Sequence, residues 1–70
     1  MELLQEEINM GRLIKYCTEE RAKLFRIVAY IKAGNKIHEF GKSEALATEE
    51  SYERALRGIK QYDFIIAKYY

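Results

Sequence analysis

Cys17 and His38 are the chain's one cysteine and one histidine, so they are the first residues to question for chemistry. A thiolate nucleophile needs a base or a positive field beside it, and a structural zinc needs four ligands, mostly Cys and His. No arrangement of His, Asp or Glu around Cys17 suggests activation, and one His with one Cys cannot assemble a zinc site within one chain. Cys17 falls in an apolar stripe, where a cysteine packs as a small hydrophobe, and His38 beside Glu39 reads as a surface histidine. Glu6, Glu7, Glu19 and Glu20 recur at helical spacing, but carboxylate-bridged metal bundles also need Glu-x-x-His on two helices, and no such pair occurs. Intrahelical pairs such as Glu19–Lys23 and Glu50–Arg54 account for these charges. With no phosphate-binding glycine loop and no acid–base or nucleophile constellation, the expectation is a protein that is not an enzyme and uses no metal or cofactor.

The tyrosines are more suggestive. Tyr16 and Tyr30 border the first apolar stripe, and the chain closes on Phe64-Ile65-Ile66-Ala67-Lys68-Tyr69-Tyr70. Tyrosine offers a large contact area and a polar tip for an interface rim. Tyr16, Tyr30, Tyr69 and Tyr70 are therefore the candidate partner-binding residues. The plainer reading is that these rings only plug the open end of a narrow core.

Positioning such residues falls to helices. Leu3, Met10, Cys17, Leu24 and Ile31 recur every seventh residue, Ile14, Val28, Leu13 and Ile27 fill the half-steps, and the chain contains no proline. That pattern predicts a first helix over about residues 2–33. Gly34-Asn35 is a helix stop, because both residue types tolerate the left-handed conformation. Residues 34–43 read as a connector with room for one helical turn, in which Ile37 and Phe40 are expected to plug the end of the bundle. Ser43 or Thr48 caps a second helix over about 44–69, with a stripe through Tyr52, Leu56, Ile59, Tyr62 or Asp63, Ile66 and Tyr69 or Tyr70.

Seventy residues, 49% hydrophobic and 33% charged, are too apolar for disorder and make one domain at most, close to the size where a single core barely suffices. No apolar run approaches the ~20 residues of a membrane helix. Glu2, Glu6 and Glu7 are the reverse of a basic signal-peptide start, so the expectation is a soluble cytoplasmic protein with no membrane contact. Helix 1 carries a second strip, Ile8, Gly11, Thr18, Ala22, Phe25 and Ala29, whose small members allow close approach of another helix. One strip for the hairpin partner and one for a second copy gives an all-α fold: a helical hairpin pairing as a homodimeric four-helix bundle. The alternative is a three-helix monomer with a short helix over 36–47.

The run Ile8-Asn9-Met10-Gly11-Arg12-Leu13-Ile14-Lys15-Tyr16-Cys17-Thr18 resembles the first-helix segment of the Rop family, plasmid-encoded antiparallel dimers of helical hairpins that bind a pair of kissing RNA stem-loops. Asn9, Met10, Arg12, Ile14 and Thr18 match in type, and Gly11, Leu13 and Lys15 are conservative replacements. The resemblance implies an RNA-binding face with Asn9, flanked by Arg12 and Lys15 as phosphate partners. It departs where the family has an aromatic at Leu13, a glutamine at Cys17 and a lysine at Leu24, and the connector is longer than the family's tight turn.

Two functions follow. The first is a small non-catalytic interaction module, a helical dimer that binds and modulates another protein. The second is a Rop-like RNA-binding regulator acting through Asn9, Arg12 and Lys15, with steep salt dependence. A net charge of +1 and the missing aromatic favour the first; a purely structural assembly unit is a weaker third.

Overall fold

The computed structural model of the chain describes residues 2–69, and the side chains of residues 9–69. It is a helical hairpin: α1 spans Glu2–Lys32 and α2 spans Glu44–Tyr69. Both boundaries agree with the periodicity to within a residue. The candidate residue Tyr70 lies outside the described residues.

The stop after α1 works as glycine chemistry requires. Gly34 adopts φ +95°. Its N–H donates to the Ile31 carbonyl at 3.0 Å, and Asn35 N–H reaches back to the Tyr30 carbonyl at 3.3 Å. This pair of bonds satisfies two of the carbonyls that a helix end leaves open. Asn35 Nδ2 adds a second donor to the Tyr30 carbonyl at 3.0 Å. At the start of α2, Ser43 is the cap: its Oγ accepts from Leu46 N–H at 3.2 Å. Thr48 has a different task. Its hydroxyl donates to the Glu44 carbonyl at 2.7 Å and accepts the Ile37 N–H at 2.9 Å, tying the connector to the side of α2.

Arg21 pairs with Asp63, Tyr16 meets Tyr62, and Leu24 lies over Gly58, so the helices run antiparallel. The seam on α2 passes through Thr48, Tyr52, Ala55, Ile59, Tyr62 and Ile66, alternating steps of four and three. Its core is thin. Among the described residues the buried hydrophobics are Cys17, Val28, Ala47, Ala55 and Ile59, with Leu24 and Tyr52 packed against the last two and Val28. Small side chains at Ala55 and Gly58 let the helices approach; a Cβ at Gly58 would stand 2.5 Å from Leu24 Cδ1.

Three expectations need correction. Leu56 is 43% exposed, because one step beyond Ala55 turns a side chain about 100° out of the seam. Phe40 plugs nothing and is fully exposed. The connector is irregular, with Gly41 at φ +80°, so there is neither a helical turn in it nor a third helix among the described residues. The register also sets Tyr69 level with about residues 9–15 of α1, so the first turns of α1 run past α2. Met10 and Leu13, level with the last turn of α2, are 40% and 39% exposed.

Candidate interaction surface

Tyr16–Tyr62 and Arg21–Asp63 border the seam on opposite sides and define two flanks. On one, Tyr16 meets Tyr62 edge to face with ring centroids 6.5 Å apart. Helical steps of three, four and seven add Leu13 and Ile27 on α1 and Ile65 and Tyr69 on α2 to the same side. Tyr16 is 54% exposed, and Leu13, Ile27 and Tyr69 are also open to solvent. Tyr62 is half-buried, and loss of water around its hydroxyl, reinforced by Tyr16 and Glu20, raises its pKa above the usual 10.0. A shallow cavity of about 220 Å³ along this flank is lined by Leu24, Ile27, Ile37, Ser51, Arg54 and Ala55.

On the other flank the Arg21–Asp63 ion pair bridges the helices, and Arg21 also lies 5.9 Å from the centroid of Phe25. Phe25 and Leu56 are exposed here, and so are Gly11, Thr18 and Ala29 of the strip expected to face a second copy; Ala22 is half-buried. A salt link therefore crosses this flank, whereas aromatic contact crosses the first.

The structure divides the candidate tyrosines. Tyr16 and Tyr69 share the first flank and the same end of the hairpin. Tyr30 is half-exposed but sits fourteen residues from Tyr16, about 21 Å along α1, at the connector end. Arg12, Lys15, Arg26 and Glu19 are exposed on the outer side of α1, while Lys23, seven residues from Tyr16, pairs with Glu20 at 3.3 Å; Asn9 turns toward the tyrosine flank. Leu13 and Ile27 were legible only as stripe fillers and Ile65 only as part of the closing apolar run, and their seven- and three-residue offsets from Glu20, Tyr16 and Tyr62 are the signal that puts them on this surface.

Cys17, 1% exposed, is a free thiol packed in the seam. His38 is exposed, with Nδ1 3.9 Å from Glu44 Oε2. Among the described residues no three His, Cys, Asp or Glu side chains gather where they could hold a metal ion, and no helix is long and apolar enough to cross a membrane. In the connector Lys42 joins Glu50 and also stands 3.4 Å from Glu39 Oε2. The hydrogen bond to Glu50 is the main cause of a raised Lys42 pKa, and the same bond lowers that of Glu50.

Compared with family models, curated proteins and solved structures, the chain matches none of them.

Proposed function

We propose that this hairpin is a small, non-catalytic interaction module of the cytoplasm, which pairs with a second copy and binds and modulates another protein. The observation that carries the reading is the tyrosine flank, where Leu13, Tyr16, Ile27 and Tyr69 leave apolar surface open beside a seam that already has its partner. Exposed apolar surface marks interaction sites where it gathers, as Leu13, Tyr16 and Tyr69 do at one end of the hairpin, and tyrosine is prominent among residues that dominate binding.

Area supports the pairing. The chain exposes 5744 Å², about a quarter more than the about 4,600 Å² usual for a folded monomer of its mass. Over two copies the surplus is roughly 2,300 Å², the scale of an obligate dimer interface. The second strip, Ile8, Gly11, Thr18, Ala22, Phe25 and Ala29, of which the Ile8 side chain lies outside the described residues, is the surface we assign to that pairing, which leaves the tyrosine flank for the other protein.

The test is capture from native lysate, with and without nuclease, using variants that keep full helicity. Tyr16→Ala is expected to abolish capture of a discrete protein, and Arg12→Ala with Lys15→Ala to leave it intact. An RNA-binding reading takes support from the outer side of α1, where Arg12, Lys15 and Arg26 outnumber Glu19. Loss of binding in the Arg12/Lys15 variant, together with nuclease sensitivity and a steep salt slope, would replace the protein reading with that one.

A further inference from the structure

Phe40 is the most exposed large hydrophobic among the described residues, at 107% of its reference accessibility. The loop that carries it is nevertheless held at several points. Gly34 and Asn35 close α1, Thr48 binds the Ile37 N–H, Lys42 links Glu39 to Glu50, and Ser43 caps α2. Gly41, next to Phe40, takes the left-handed turn that lets the chain double back at φ +80°. An aromatic ring with no packing of its own, on a loop already ordered, loses little further freedom on docking.

A receptor for such a ring lies at the same end of the molecule. A groove of about 330 Å³ is lined by apolar Ile31, Ala45 and Tyr52 and by charged Lys32, Lys36 and Glu49. Tyr52 offers a ring for edge-to-face contact, and the two lysines offer cations beside an aromatic face. Knob and groove on one end of one molecule meet the condition for a two-fold contact, in which each copy gives and receives the same ring. A lipid surface is the weaker occupant, because Glu39 and Glu50 neutralise Lys42, the lysine nearest Phe40.

We propose that the connector ends of two copies associate reciprocally, with Phe40 of each seated in the groove between Ile31, Ala45 and Tyr52 of the other. The groove continues the side of α2 that carries Leu56, at the connector end, and the contact neither uses the tyrosine flank nor depends on the function proposed for it.

The experiment replaces Phe40 with a photoreactive phenylalanine analogue in a mixture of ¹⁵N-labelled and unlabelled chains. Mixed-isotope adducts mapping to residues 31–36 or 45–52 are expected. Adducts confined to one chain, mapping elsewhere, or absent would overturn the contact. In parallel, sedimentation equilibrium over a concentration series should show Phe40→Ser and Ala45→Trp weakening this association by about tenfold or more, as for loss of an aromatic anchor. Phe64→Ser, at a ring that is 71% exposed on the outer side of α2, should leave it unchanged. Equal association of the Phe40 and Phe64 variants would refute the proposal, while capture through Tyr16 would still report independently on the flank.

Discussion

The middle of the hairpin and its connector are held by different means. Around Val28, Ala55 and Ile59 the helices meet through small and branched apolar side chains, and what fixes their spacing is size: Gly58 admits Leu24. Around residues 34–48 almost nothing apolar is buried except Ala47, and the chain is placed by directed bonds, with Thr48 at their centre. Apolar packing tolerates rotation and sliding, whereas hydrogen bonds specify position. The seam therefore supplies cohesion and the connector supplies register.

Removing cohesion should have the largest effect. Ile59→Ala takes a buried branched side chain from a core with few members, and such truncations cost about 2–5 kcal/mol. A hairpin with so thin a core is expected to lose most of its helical signal in thermal melts. Leu56→Ala, three positions earlier and 43% exposed, should move the midpoint little. Equal losses in the two variants would show that Leu56 shares the seam and would erase the distinction between seam and flank.

That pair also shows how far the sequence is legible. Seven-residue spacing in α1, the missing proline and Gly34-Asn35 are local signals, and they suffice for both helices and the stop between them. In α2 the phase is ambiguous, because the seam uses Ala55 and Gly58 where a hydrophobicity pattern favours Leu56. Small residues are chosen by the neighbouring helix, and one helix read alone does not reveal that neighbour. The same holds for the surface: Tyr16 and Tyr69 meet on one flank only through the register of the hairpin, and Tyr30 is excluded from it by an axial distance that residue type does not carry. Thr48 read as an alternative cap because its partner, the Ile37 N–H, comes from a loop with no periodicity.

Loosening the register should have an intermediate effect. Thr48→Val keeps the shape of a side chain that is 8% exposed and deletes both hydroxyl bonds, leaving the Ile37 N–H without its acceptor. A cost of about 1–3 kcal/mol is expected from the unsatisfied donor. Amide exchange should accelerate at residues 35–43 while protection near Val28 and Ile59 persists at its reduced global level. Uniform acceleration across both regions would mean that connector and seam unfold as one unit.

The smallest effect concerns the ionic part of the connector. Glu50 has its pKa lowered from 4.5, chiefly by the hydrogen bond from Lys42, and Lys42 has its pKa raised from 10.5 by the same bond. A depressed carboxylate contributes stability above its unfolded pKa and loses it as pH falls through the folded value. A raised ammonium contributes below its unfolded pKa and loses it as pH climbs through the folded value. The pair therefore acts in full between roughly pH 5 and 10 and fades on either side. Both groups are solvent-accessible, so the contribution is small and screened by salt. Glu50→Gln should lower the melting temperature slightly at pH 7 and low salt, and the gap to the unmodified chain should narrow as pH falls below 4.5 and as salt is raised. A gap that neither acid nor salt narrows would assign the effect of Glu50 to packing against the connector and leave its register to the Thr48 bonds alone.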